Sequence, residues 1–459
     1  MSSIAVPADR DGLVDREIVL RFLLSAAFWL VFAPTIGVIL SIKFNYPDFL
    51  GGIDWLTWGR LRPVHVMGVI FGAFTTGVLG LTYYMVPRLC GVPMYKANWS
   101  RAIFWLWNLG LTAALISLPL GQNLGIEAGE FPLWANVLVE TVLILITIQV
   151  VGTVFRRTEK RIYVTLWYLT AAYIWTVFNY FFGHFILPYS MPGVNNAAMH
   201  GLYIHYVVGL WITPAGYVLI YYFLPASVRN PIYSHKLSLI GFWSLAFFYP
   251  FVGIHHYLYS PIADWAETIA IVSSMMLIIP VWTVLQNFFG TVAGRWRELG
   301  HNLPAKFFVV GSLMYLIGCF QGSISALRSV QQPTHFTDFV IAHSHLTVFG
   351  TFIMWAVGGA VYVWPRLAHD EPLWSFRVGN WGFWLMTGGL SAMGLLLVVQ
   401  GVHQGLMLMA GAEWVHSVNV MRPYWWVRTF TGIAMDIGIS LVVYTLMKTS
   451  LQASTTAAR

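Results

Sequence analysis

Residues 338–364 read DFVIAHSHLTVFGTFIMWAVGGAVYVW. The stretch has one acid at its head and no Lys or Arg, and it exceeds the roughly 20 apolar residues that a helix needs to cross a bilayer. It reads as a membrane helix. Yet His343 and His345 lie inside it, and ionisable side chains in such helices are costly and mark function by default. Two residues apart on a helix, they point about 200° apart, so one element can present an imidazole to each of two groups on opposite flanks.

Working outward, comparable apolar runs appear at 18–42, 61–87, 102–121, 133–155, 163–187, 202–225, 236–258, 267–290, 304–326, 338–364, 380–404 and 424–448. The expectation is an all-α membrane protein of about 12 transmembrane helices, with residues 1–459 forming a single domain. Composition agrees: 58% of the residues are hydrophobic, 9% are charged and mean hydropathy is +0.68, too apolar for a soluble domain of this length. The net charge of +7 suggests nucleic acid at first sight, but the basic residues are spread over loops and form no binding face. With the N-terminus inside, 19 Lys and Arg fall on the inner side and six on the outer: Lys43, Arg60, Arg62, Arg328, Arg422 and Arg428. That asymmetry puts both termini in the cytoplasm. Asp9, Arg10, Asp11, Asp15 and Arg16 before the first run are unlike a cleaved signal peptide, so the first helix is expected to stay as an anchor.

Threading sets the depth of six histidines. His65, His205, and the pair His343 and His345 stand near the starts of helices that descend from the outer face, while His255 and His256 end one that ascends to it. Four separate segments thus place imidazoles in one layer of the outer half-membrane. Imidazole is the preferred nitrogen ligand of haem iron and copper, so the layer reads as a buried redox centre. Two haems could each take one axial ligand from His343 and His345, with His65 completing one of them and the other keeping an open iron site. The alternative is one ligand and one hydrogen-bonded core histidine. His205, His255 and His256 make a three-imidazole set that suits copper; zinc fits the donors but transfers no electrons.

Around this layer stand further candidates. Tyr249, seven residues before His256, falls on almost the same face of a regular helix and about 10 Å deeper, where a phenol could supply a proton and an electron. Pro250 should loosen that helix. Arg60, Arg62, Arg328, Arg422 and Arg428 flank the level at which haem propionates would emerge, with His335 and Asp338 in the same zone. Interfacial snorkelling is the rival reading for each arginine. Glu127 and Glu130 could hold calcium near those propionates, or be solvated loop acids. His184, His200, His235, His301, His369, His403 and His416 have no comparable partners and read as surface, interfacial or core residues. Cys90 and Cys319 are isolated; without CxxC or CxxCH the chain attaches no c-type haem.

The stretches RLRPVH (60–65), PIYSHKLS (231–238), YPFVGIHHY (249–257), DWAET (264–268) and HFTDFVIAHSH (335–345) resemble the catalytic subunit of cbb3-type cytochrome c oxidases, in the haem-copper oxidase superfamily. The resemblance runs from about residue 17 to residue 450. It implies a haem-copper oxidase-like bundle and a terminal respiratory oxidase that reduces O2 to water with electrons from cytochrome c, coupled to proton translocation. It further implies that His65 and His345 ligate low-spin haem b, that His343 ligates high-spin haem b3, and that His205, His255 and His256 hold CuB. Tyr249 would be the family's redox-active tyrosine, cross-linked to His205, and Glu127 and Glu130 the acidic pair near calcium.

Partners implied are membrane-anchored c-type cytochrome subunits and the lipid bilayer, with no nucleic acid. The setting implied is the bacterial inner membrane, with the haem layer toward the periplasm. The competing relatives are nitric oxide reductases, which place a glutamate four residues after the first metal histidine and lack the tyrosine. Here that position is Gly209, and Tyr249 is present. Two departures from the family touch its proton-delivery route beside Ser238: Gln321 replaces a usual glutamate and His235 a usual tyrosine. A cofactor-free transporter whose histidines relay protons is the reading from another class.

Overall fold

The computed structural model describes residues 8–457, and among them there is no β-strand. Twelve helical columns run through it: α1 (Arg16–Asn45), α2 (Trp58–Cys90), α3 (Ser100–Ser117), α4 (Leu133–Phe155), α5 (Val164–Phe181), α6 (Gly193–Val228), α7 (His235–Tyr257), α8 (Asp264–Val292), α9 (Leu303–Ser325), α10 (Asp338–Leu367), α11 (Phe376–Met409) and α12 (Trp414–Ala457). They fall on the twelve apolar runs. All except α3 and α5 are long and apolar enough to cross a membrane by length and composition alone. Arg459, counted with the inner cations, lies outside the described residues.

Hydrocarbon offers the backbone no partner, so each apolar run must satisfy its own amides as a helix. Side chains close the starts of several columns. Asp15 accepts from the Ile18 amide at 3.2 Å, Ser234 from Leu237 at 3.3 Å, Asn302 from Ala305 at 3.1 Å and Ser375 from Val378 at 3.2 Å. Burial then sorts the columns. The apolar windows of α2, α6 and α10 are 83%, 89% and 83% buried, against at most 56% for the other seven measured. The three innermost helices are those that carry His65, His205 and the His343–His345 pair.

Each of these helices changes character just after its histidine. The chain widens to π-helical turns at Gly68–Thr75, Val207–Ile212 and His345–Ile353. Such bulges concentrate at functional sites. Hydroxyls take up carbonyls five residues back: Thr75 donates to Ile70 at 2.8 Å, Thr76 to Phe71 at 2.9 Å and Thr351 to Leu346 at 3.3 Å.

Helix α7 departs from the regular helix expected over 236–258. It is α-helical only to Phe248, then continues as 3₁₀ turns at Tyr249–Phe251 and Gly253–Tyr257. Pro250 lacks an N–H and crowds the preceding turn, which breaks the α pattern there. A 3₁₀ helix turns about 120° per residue, so the seven-residue spacing no longer gives Tyr249 and His256 a shared face.

The head of α10 is fastened to two other columns. Asp338 accepts from Gln400 of α11 at 2.6 Å, and from Trp425 and Arg428 of α12 at 3.0 and 3.2 Å. Arg428 also stacks 4.7 Å over the Phe44 ring of α1. Asp338 and Arg428, both expected in the propionate zone, also pair with each other, and their side chains are only 13% and 14% exposed. Asp338→Ala strands Arg428 and two neutral donors; breaking a buried pair costs about 3–5 kcal/mol. The expected result is a lower melting temperature of the solubilised protein, and an unchanged melt would contradict this anchoring role.

Candidate metal centre

The six histidines of the layer form two groups, and α10 serves both. His345 faces His65 of α2, with ring centroids 6.4 Å apart and planes 22° from parallel. Two metal–imidazole bonds of about 2 Å, on either side of one ion, require a centroid separation of about 6 Å. In each ring Nδ1 is engaged by a backbone carbonyl: His65 with Ala33 at 2.8 Å and His345 with Ile341 at 2.9 Å. That contact puts the proton on Nδ1 and leaves the Nε2 lone pair for a ligand, the arrangement common among histidines that bind metals. Gly37 of α1 makes the room, since a Cβ there would stand 2.6 Å from His65 Cε1. The arrangement fits a haem iron that His65 and His345 would hold between them.

His343 turns to the other flank, within electrostatic range of His205, His255 and His256. Its Nδ1 is buried without a well-formed hydrogen bond, and Gly322 of α9 lies against the ring, where a Cβ would come within 2.5 Å of Cε1. His205 of α6 and the adjacent pair of α7 form a compact tripod, with centroids 4.6, 4.7 and 4.8 Å apart. One ligand nitrogen from each lies within 4.8 Å of the others, and the Nε2 atoms of His205 and His256 are 2.7 Å apart. His255 Nδ1 meets Ser274 Oγ at 2.6 Å. Three neutral imidazoles so converged fit a copper ion with an open position.

Tyr249 borders this tripod despite the 3₁₀ break, its ring centroid 5.9 Å from that of His205. Across from it stands Gly209, where even a Cβ would overlap the Tyr249 ring. The phenol and a side chain at 209 exclude each other.

The basic residues expected on the outer side are all engaged with protein. Arg60 donates to the Pro119 carbonyl at 2.8 Å, Arg422 to Asn45 at 3.0 Å, and Arg328 pairs with Glu267 at 3.0 Å. Arg62 bridges Glu127 at 3.0 Å and Glu130 at 3.1 Å. Burial pushes the Glu130 carboxyl up to about 7 against the pull of Arg62, and its Oε2 is buried without a partner. His335 stacks on Phe336 at 3.9 Å. Burial holds its imidazole below the usual histidine range, partly offset by the backbone of His256.

The proton-route residues separate. His235 is exposed at the start of α7, and the buried Ser238 donates to its carbonyl at 2.7 Å. Gln321 does not join them. It lies about 27 Å along α9 from Leu303, beside the histidine layer, where its Nε2 donates to the Phe339 carbonyl at 3.2 Å. Nothing in the sequence singles out Ser274, Gln331 or the Ala33 carbonyl. These are ordinary polar groups whose importance comes from contacts distant in the chain.

A family model described as Cytochrome C and Quinol oxidase polypeptide I matches residues 17–434. The chain is 29% identical to the cbb3-type cytochrome c oxidase subunit CcoN1 of Stutzerimonas stutzeri over 94% of both chains. It is 28% identical to a cytochrome c oxidase subunit 1 homolog of Agrobacterium tumefaciens, covering 95% of this chain and 84% of the relative. A nitric oxide reductase polypeptide of Stutzerimonas stutzeri is more distant, 22% identical over 89% of both. A heme-copper terminal oxidase dimer solved by cryo-EM shares the fold, with a TM-score of 0.78 over 95% of this chain and 84% of that one at 15% identity. With its sequence matched over nearly its whole length and six of its histidines gathered in one layer of the bundle, this chain belongs to the cytochrome c and quinol oxidase polypeptide I family.

Proposed function

We propose that the chain is the catalytic subunit of a cbb3-type cytochrome c oxidase that reduces O2 to water and couples this to proton translocation. His65 and His345 would hold low-spin haem b, His343 the high-spin haem b3, and His205, His255 and His256 CuB. When bound, the haem iron and copper supply electron transfer and the reduction of oxygen. The chain's own residues orient these groups, exclude water from the layer and deliver protons. Tyr249, whose ring centroid is 5.9 Å from that of His205, would give a proton and an electron beside the tripod. Ser238 and His235 would form a proton inlet at the start of α7, and Glu130 Oε2 would be a donor to calcium.

Because the sequence has no CxxCH, electrons would come from membrane-anchored c-type cytochrome subunits. The charge asymmetry favours both termini in the cytoplasm of a bacterium, with the haem layer toward the periplasm.

The observation that carries this reading against nitric oxide reduction is the overlap of Gly209 with Tyr249. A glutamate at 209 has no room while the phenol is present. Metal analysis of the purified complex, with oxygen and nitric oxide turnover, tests the proposal. Copper in proportion to haem and faster oxygen consumption are expected; iron in place of copper, or a colourless preparation, would overturn it. Tyr249→Phe should slow oxygen reduction about 100-fold or more while the haem spectra persist; full turnover would remove the phenol from the mechanism. His343→Ala should lose the carbon-monoxide-binding haem and keep the low-spin one, whereas equal loss of both would contradict the two-flank division of α10.

A further inference from the structure

The outer end of α7 has a backbone problem. His255 and His256 lie in the 3₁₀ segment Gly253–Tyr257, which no helix continues, so its last carbonyls lack helical partners. A side chain from the connection between α9 and α10 takes up the first of them. Gln331 Nε2 donates to the His255 carbonyl at 3.0 Å. From another side, Ser274 of α8 meets the His255 ring at 2.6 Å. The Ser274 hydroxyl also donates to the Ala270 carbonyl at 2.6 Å. A hydroxyl has one proton, so toward His255 it must accept. Nδ1 therefore carries the hydrogen and Nε2 the free lone pair.

These holders are braced against each other. Glu267, seven residues before Ser274 and on the same face of α8, pairs at 3.0 Å with Arg328, and the Glu267 side chain is only 4% exposed. Arg328 begins the short helix Arg328–Thr334 that carries Gln331, and Tyr259 donates to its carbonyl at 2.6 Å.

We propose that Ser274 and Gln331, braced by the Glu267–Arg328 pair, are positioning residues that preset the ring tautomer and backbone of the His255–His256 pair for the non-haem metal. This rests on the three-imidazole copper assignment above. Partners of this kind typically change metal affinity 10–100-fold.

The experiment compares copper-to-haem ratio and the rate of copper loss to a chelator in the purified complex. Ser274→Ala should lose copper about 10–100-fold faster, with the low-spin haem band unchanged because His65 and His345 are held elsewhere. Ser274→Thr keeps a hydroxyl and should restore retention, which a mere packing role would not require. Gln331→Leu leaves α8 untouched and gives a second measurement should Ser274→Ala fail to assemble; it too should speed copper loss. Parental copper retention in both assembled variants would overturn the proposal. A parent complex without copper would instead overturn the underlying metal assignment.

Discussion

A neutral imidazole has one N–H and one lone pair, and within a bilayer neither can be left to water. That constraint organises this protein. His65, His345 and His255 meet it alike, engaging Nδ1 with an oxygen of the chain at 2.8, 2.9 and 2.6 Å. The other nitrogen is then available to a metal without further adjustment. The oxygens come from different places: a carbonyl of a neighbouring helix, a carbonyl one turn back, and a hydroxyl of α8. The packing of α1, α2, α8 and α10 is thus tied to where protons sit on three rings.

The helices give up regularity where they serve this layer. Three of the four columns that carry the layer's histidines widen into π turns, and the fourth tightens into 3₁₀. In α2, α7 and α10 the change frees or shifts carbonyls, and threonine hydroxyls or a side-chain amide occupy them. Asp338 does the equivalent at the head of α10, gathering α11 and α12 around one carboxylate.

Much of this was legible in the chain. Lipid forces apolar runs into helices, so the twelve columns could be read from hydropathy, and the cost of ionisable groups in a membrane singled out His65, His205, His255, His256, His343 and His345. What escaped depends on contacts that no spacing encodes. Ser274 lies 19 residues from His255 and Gln331 lies 76 away, and each is an unremarkable polar residue until the fold brings it near. The phase of α7 also escaped, because residue spacing translates into a shared face only where one helical pitch persists, and Pro250 ends it. Gln321 was grouped with Ser238 by family resemblance, whereas its level follows from the length of α9.

Gly209 and Tyr249 stand forty positions apart in the chain and compete for one volume. An exchange at either position alone would yield an overfilled pocket or a hollow one. Descent between an enzyme with the acid and one with the aromatic alcohol would need paired replacements, with a handicapped ancestor between them. The two sites should therefore be inherited as a unit, dividing lineages of this fold by sterics before chemistry is asked to choose.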